Sequence, residues 1–571
     1  MIKQLMTSRK FAPLFWCQLF SALNDNFVKN ALIILIVFTI GGASGGALVT
    51  IAGAILIAPF FVLSALGGEL ADKHDKALMA RRLKFAEIFA AGVAAIGFFL
   101  HSVPILMGSL GLFGSISALF GPIKYGILPD QLETKELASA NALIESGTFA
   151  AILAGTVAGG LVAGQHPAIV AGVMMAIALA CWISARFIPS TIPAAPLLVI
   201  TRNPWTSTIA LVRDLRVEKR LWDGTLIVSW FWLAGAVTLS LLPSLVTDVI
   251  GGAEGVITLC LMVFAIGVAI GSMIAASASH VRPNLALVPI GGLIMALFCL
   301  DLAWSAHGFV TAKDLGAAAF LTAPGSWRLL LDLSLIAIGG GLFVVPSFAA
   351  VQAWSAPERR ARVIAAGNVI SAAFIVASGV VVAGLQIAGV SDAALFAGLG
   401  VLTLGVAALV MKTWGREGVR DVAGLLFKAL FRVEVRGLEN LPEAGARFII
   451  APNHVSLLDG PLLHAVLPID AAFAVDTTIA GAWWSRPFMA MIRSYRVDPS
   501  RPLAMRHLIG LVKNGEPLVI FPEGRITVTG ALMKVYDGTA MIADKGDALI
   551  VPVRIEGAQR STLSYLKPSQ I

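Results

Sequence analysis

The sequence predicts an α-helical bundle of twelve transmembrane helices followed by a C-terminal α/β domain. Three observations carry this. Hydrophobic residues make up 57% of the 571 and charged residues only 13%, with a mean hydropathy of +0.85; an ordinary soluble domain carries roughly 25% charged residues. Charges are sparse up to Lys412, then recur every few residues from Arg416 onward, the clearest boundary in the chain. Beyond it, strand-like and helix-like segments alternate, as in an α/β layered domain. The expected units are 1–413, a linker at 414–431, and 432–571.

A helix needs about 20 apolar residues to cross the hydrocarbon core. Twelve stretches qualify: 12–40, 46–67, 83–101, 104–128, 137–164, 168–188, 224–248, 256–278, 284–305, 328–353, 363–388 and 391–412. They fall into six plus six around a long basic connection at 189–222. Even connections carry the cations: Lys73, Lys76, Arg81 and Arg82; Lys135; Arg202, Arg213, Arg216, Lys219 and Arg220; Arg282; then Arg359, Arg360 and Arg362. Odd connections at 41–45, 101–104, 165–167, 247–255 and 389–392 carry no Lys or Arg, with Lys313 a mild exception. The positive-inside rule therefore places both termini, and with them the α/β domain, on the cytoplasmic side. The net charge of +8 is explained by these loops, so no nucleic-acid partner is inferred.

Cys17, Cys181, Cys260 and Cys299 lie in apolar stretches without metal-ligand spacing, so buried thiols and no metal site are expected. The first apolar run is too long for a signal peptide. Ionisable residues inside spans are costly and mark functional candidates. They are Asp25, in Asn24-Asp25-Asn26 of the first span, Lys124 in the fourth and Glu145 in the fifth. Lys29, four residues after Asp25, offers an ion pair as the structural alternative. For Asn30, Asn141 and Asn368 a helix-to-helix hydrogen bond is the favoured role. Gly155/Gly159 and Gly160/Gly164 have the small-xxx-small spacing of close helix contacts.

The six-plus-six layout, and the loop 67–73 ending in Arg81-Arg82, resemble the major facilitator superfamily; the counterpart loop 277–285 keeps only Arg282. More specifically, Ser21-Ala22-Leu23-Asn24-Asp25-Asn26, Gly121-Pro122-Ile123-Lys124-Tyr125-Gly126-Ile127-Leu128 and Asn141-Ala142-Leu143-Ile144-Glu145-Ser146 look like the bacterial lysophospholipid transporter family. The resemblance covers about 10–412 and weakens in the second half, where Ser240 stands at a position expected to hold arginine. It implies flipping of lysophosphatidylethanolamine, lysophosphatidylglycerol and related lysolipids across a bacterial inner membrane. The transport candidates are Asp25, Lys124, Asn24, Glu145 and Asn141.

In the C-terminal domain, residues 416–431 alternate basic and apolar side chains at helical spacing, as in a helix lying on a bilayer or packed on the enzyme. Strands are expected at 432–436, 448–452, 471–475, 495–497, 518–521 and 549–555, with helices at 502–514 and 532–545. The run Asn453-His454-Val455-Ser456-Leu457-Leu458-Asp459 falls where a strand turns into a helix. An Asp folded back there fixes the imidazole tautomer and leaves the other ring nitrogen as a general base. No nucleophilic serine elbow is present, so a substrate hydroxyl is the expected attacker. His464 and His507 lack an Asp five residues on and are read as structural or solvent-facing. Phe521-Pro522-Glu523-Gly524-Arg525 follows another strand; its glycine permits close backbone approach and its arginine offers a fork of donors to phosphate.

Together these motifs resemble the glycerolipid acyltransferase family over about 432–560, in its 2-acylglycerophosphoethanolamine acyltransferase branch. The wider family has Thr between the glycine and arginine of the second motif; here Arg525 follows Gly524 directly, as in that branch. A further family motif ends in Asp-Arg, but Val497-Asp498-Pro499 has proline at the arginine's place, so Arg496 or Arg501 is the candidate substitute. The implied catalytic pair is His454 and Asp459, with Glu523, Gly524, Arg525, Arg496 and Arg501 toward the lysolipid phosphate. No cofactor is implied beyond an acyl thioester of acyl carrier protein or coenzyme A as co-substrate. The branch normally continues into an acyl carrier protein synthetase domain, and with no such region in this sequence a partial chain is expected. The alternatives are a lysophosphatidate acyltransferase fused to a transporter of an unrelated solute, or to a non-transporting anchor.

Overall fold

The computed structural model describes residues 2–565 apart from 40–41, 164, 202, 280–281, 307–314, 443–444, 498–501 and 562. The chain divides into two compact units, Met1–Lys412 and Thr413–Ile571. Twelve helices of 20 residues or more are described: α1 Ala12–Thr39, α2 Gly42–Lys73, α3 Lys76–Phe99, α4 Val103–Gln131, α5 Thr134–Ala163, α6 Pro167–Arg186, α7 Lys219–Ser244, α8 Glu254–Ala278, α9 Leu287–Ala306, α10 Ser326–Trp354, α11 Arg360–Ile387 and α12 Asp392–Phe431. Eleven spans are long and apolar enough to cross a membrane. The twelfth helix, α3, falls short because Arg81, Arg82, Lys84 and Glu87 crowd its first turns.

Two features of this unit differ from expectation. The basic connection contains its own helix, Pro204–Val217, started by Asn203, whose side chain accepts from Trp205 N at 3.0 Å. The last span and the linker form one helix, α12, because no proline interrupts residues 413–417. On that helix Val419, Val422, Leu426 and Leu430 are exposed while Arg420 and Asp421 are buried. Arg420 donates to the carbonyls of Leu467 and Ile469. A polar side thus packs on the domain, as one reading of 414–431 expects, and an apolar stripe remains exposed.

Small residues set how closely the helices approach. A Cβ on Gly155 would come within 2.5 Å of Leu23 O, and one on Gly159 within 2.5 Å of Phe27 O. Gly160 meets only the end of Ile34, at 3.7 Å, and Gly164 lies outside the described residues. The first small-xxx-small pair is therefore the α1–α5 contact and the second is not shown to be one.

The second unit is built on a five-stranded sheet, β1 Phe448–Pro452, β2 Ala472–Asp476, β3 Arg493–Val497, β4 Leu518–Val519 and β5 Leu549–Val553, in the order β3-β2-β4-β1-β5. Every pairing is parallel, so all carboxyl ends open onto one edge. Alternation of side chains sends Phe448, Ile450 and Phe473 to one face, against Leu463 and Phe488. Ile449, Ala472 and Leu518 face the other side, against Leu508, Leu511 and Ile542. One expected strand is absent among the described residues and one expected helix is shortened. Residues 432–436 pair with no strand among the described residues and run irregularly, Arg432 having φ 49°. The helix expected from 532 begins only at Gly538, because residues 529–537 are drawn into a loop by contacts described below.

Gly155→Val should destabilise the first unit by about 1–3 kcal/mol through overpacking against α1. Gly160→Val should leave the unfolding temperature in detergent nearly unchanged.

Candidate functional site

At the carboxyl edge of the sheet, β1 runs into the loop carrying His454 and β4 runs into the turn carrying Glu523, Gly524 and Arg525. The two strands are neighbours. Their onward connections lead to helices on opposite faces, Asp459–Val466 and Gly538–Gly546. That divergence opens a crevice, the usual ligand position in a parallel sheet. The sequence-predicted pair is assembled there. His454 Nδ1 lies 2.9 Å from Asp459 Oδ2, and the same oxygen accepts from Val455 N at 2.6 Å and Ser456 N at 2.9 Å. Asp459 is fully buried at the start of its helix, where the amino-terminal dipole favours an anion. A carboxylate that only accepts requires the proton on Nδ1, so Nε2 presents a lone pair. The His454 side chain is 19% exposed. Phe521 stacks on its ring at 4.1 Å.

Glu523 is not placed as a phosphate contact, which corrects one expectation. It is 1% exposed, and its two oxygens accept from His454 N at 2.9 Å and Met533 N at 2.8 Å. A carboxylate committed to two backbone amides is a tie between loops, and its charge would repel a phosphate. Gly524 has φ 62°, the left-handed conformation that glycine adopts freely, and Arg525 is exposed just after it. Arg496 is exposed on the edge strand β3, about 10 Å from β4 across two strand spacings, so it lies at the rim. Arg501 lies outside the described residues. His464 is buried, at 5% exposure, and His507 is exposed.

Asn453 opens the sequence motif, but its partners and the other positioning residues were not singled out by the sequence pattern. Asn453 pairs with Ile555 through both side-chain atoms, donating to its carbonyl at 3.1 Å and accepting from its amide at 2.6 Å. Ser564 Oγ donates to Val455 O at 2.9 Å, Ser456 and Ser561 hydroxyls meet at 2.9 Å, and Leu457 N donates to Leu563 O at 3.1 Å. The segment after β5 thereby fastens the His454 loop. Its residues are far along the chain and carry no local signature.

In the first unit, Asp25 and Lys124 line one cavity of about 280 Å³ together with Ser21, Ser117 and Asn368 and the rings of Phe60, Phe120 and Trp232. Asp25 Oδ2 accepts from Ser117 at 2.6 Å, and Oδ1 has no hydrogen-bond partner among the described residues. The Asp25–Lys29 pair gives way to this arrangement, since Lys29 donates to Asn26 at 3.3 Å. Lys124 Nζ sits 4.6 Å from the Tyr125 ring centre. Asn24, Asn141 and Glu145 are buried and are not among the cavity's lining residues, a second correction. Asn141 donates to Gln352 on α10 at 2.6 Å, the helix-to-helix hydrogen bond favoured for it, and Glu145 accepts from Tyr125 at 2.7 Å. Asn30 bonds Thr156 across helices at 3.1 Å, as expected. Behind Ser21 lies a buried pair, Lys84–Glu87 at 2.8 Å, with Lys84 also donating to Ser21 at 2.7 Å. Both are in-span charges at i,i+3 spacing, a signal that the sequence carries.

The family model described as Major Facilitator Superfamily matches residues 14–313, and the model described as Acyltransferase matches 432–556. The lysophospholipid transporter LplT of Yersinia enterocolitica is 29% identical over 378 residues, covering 64% of this chain and 83% of the relative. Its counterpart in Salmonella newport is 32% identical over 330 residues, 56% of this chain and 71% of the relative. Among solved structures, the human organic anion transporter MFSD10 superposes with TM-score 0.56 at 16% identity, over 70% of this chain and 99% of that one. A bacterial homologue of ferroportin in an outward-facing state gives 0.54 at 14% identity, over 71% and 98%. At such identities these structures speak for the fold of the first unit alone.

Glu523→Ala should release the amides of His454 and Met533, so hydrogen exchange at both should quicken by at least about tenfold. Exchange along β1 should stay slow.

Proposed function

Because the chain belongs to the major facilitator superfamily, and within it to the lysophospholipid transporter family, and carries an acyltransferase domain on the same polypeptide, we propose that it moves a lysophospholipid to the cytoplasmic leaflet of a bacterial inner membrane and reacylates it there. The lysolipids proposed are lysophosphatidylethanolamine and its relatives such as lysophosphatidylglycerol. The observation carrying the chemistry is the 2.9 Å contact from His454 Nδ1 to Asp459, which leaves Nε2 free in the crevice. Nε2 takes the proton of the lysolipid's free hydroxyl as that oxygen attacks the thioester carbonyl. The tetrahedral adduct collapses, the carbon–sulfur bond breaks, and the thiol of acyl carrier protein or coenzyme A leaves with the proton from the imidazolium. Arg525, exposed beside Gly524, takes the lipid phosphate as a planar fork of donors.

The cavity of the first unit suits the same molecule. One part of its wall is aromatic and aliphatic, and Asp25 and Lys124 bring opposite charges into it. A zwitterionic headgroup sets its ammonium toward the Asp25 carboxyl and its phosphate toward Lys124; a headgroup lacking the ammonium keeps only the second contact. The acyl chain lies along Phe60, Phe120 and Trp232.

His454→Ala should lower acyl transfer by at least about 10² while uptake of labelled lysophosphatidylethanolamine into proteoliposomes stays as in the parent. Asp25→Asn should do the reverse: slower uptake, with acyl transfer intact when lysolipid is supplied on the enzyme's side. A clear preference for lysophosphatidate as acceptor would contradict the proposed substrate.

A further inference from the structure

Residues 528–536 leave the Arg525 turn as an irregular strap with its large apolar side chains outward. Val528 is 51% exposed, Leu532 70%, Val535 50% and Tyr536 52%, and Arg525 and Lys534 are exposed among them. The strap is fixed in this posture. Met533 N donates to Glu523 at 2.8 Å, Tyr536 N to Pro522 O at 3.0 Å, and Thr527 Oγ1 to Ala531 O at 2.9 Å. The Glu523 carboxylate that holds Met533 also holds the amide of His454, so one residue sets both strap and base.

We infer that this strap is a bilayer-docking element: Val528, Leu532, Val535 and Tyr536 enter the boundary between headgroups and acyl chains and Lys534 meets lipid phosphates, while Arg525 at the strap's root keeps the phosphate of the lysolipid being acylated. The inference rests on the proposed lipid acceptor for its purpose, though not for its geometry. Three arguments select a membrane as the occupant. Basic residues interleaved with exposed apolar ones complement an anionic lipid surface. Among the described residues the polypeptide carries eleven helices long and apolar enough to cross a membrane, so the second unit works at high effective concentration of bilayer and a small contact area suffices. Finally, a glycerol hydroxyl sits at headgroup depth and must come within about 3 Å of the base. Docking the rim of the crevice brings the base to the lipid without extracting the lipid from its leaflet.

The test uses the full chain in nanodiscs of phosphatidylethanolamine and phosphatidylglycerol. Leu532→Cys is labelled with an environment-sensitive fluorophore, the four native cysteines being buried. Doxyl-bearing lipids should quench the label at least about twofold. A blue shift without lipid quenching would mean that a protein partner or second copy covers the strap, and an unshifted, unquenched label would mean that water does; either result overturns the inference. A paired measurement asks what docking does for the reaction. With Leu532→Asp and Val535→Asp together, acyl transfer to bilayer-resident lysolipid should fall at least about tenfold, while transfer to a short-chain, water-soluble lysolipid should stay within about twofold. Equal loss on both, or no loss, contradicts the role. If the parent chain transfers no acyl group at all, the functional reading fails, and the quenching result still decides the docking.

Discussion

One buried oxygen, Asp459 Oδ2, gathers three N–H groups: the imidazole of His454 and the amides of Val455 and Ser456. Burying a carboxylate is costly unless its charge is met by donors, and here the donors are the loop that needs shaping. Satisfying the charge therefore imposes one geometry on residues 454–459. That geometry fixes the tautomer, aims Nε2 outward and places the ring over Phe521. Because β1 pairs with β4, the glycine turn that carries Arg525 is delivered to the same edge without further adjustment.

The same physical solution recurs elsewhere. Glu523 joins two loops through the amides of His454 and Met533. In the first unit, Asp72 at the end of α2 is fully buried and accepts from Ala361 N at 3.0 Å and from the Arg362 side chain at 3.0 Å, at the start of α11. Asp130 draws Lys76 at 2.7 Å and Arg360 at 3.4 Å to the same end. The Asp72, Arg360–Asp130 and Asn141–Gln352 contacts tie the first six long helices to the last six, while Lys76–Asp130 lies within the first six. Any motion that opens that end has to exchange the bridging contacts for water, so their strength sets part of its barrier.

Patterns governed by local periodicity or by one short motif were legible in the sequence. The strand 448–452 has the predicted limits, and the His454–Asp459 pair forms as spacing and strand-to-helix position suggest. Charge inside a span correctly drew Asp25 and Lys124 to a cavity. What escaped depends on distant partners. Val433 and Val435 look like a strand, but pairing needs a free sheet edge at the right place. Residues 532–537 have helical composition, yet Glu523 and Pro522 capture the amides of Met533 and Tyr536. Glu523 belongs to a motif that signals a ligand, although its side chain turns inward. Asn141 and Glu145 carry the polarity of a binding site, and neighbouring helices consume it.

The central claim is that one lipid passes through both units in turn. Labelled lysophosphatidylethanolamine is supplied on the outer side of proteoliposomes, with an acyl thioester of acyl carrier protein confined to the side that bears the enzyme, and labelled diacyl lipid is followed over time. The account predicts diacyl product from the parent chain at a rate set by the slower of the two steps. Absence of product, while the same vesicles acylate lysolipid supplied directly to the enzyme's side, would contradict it.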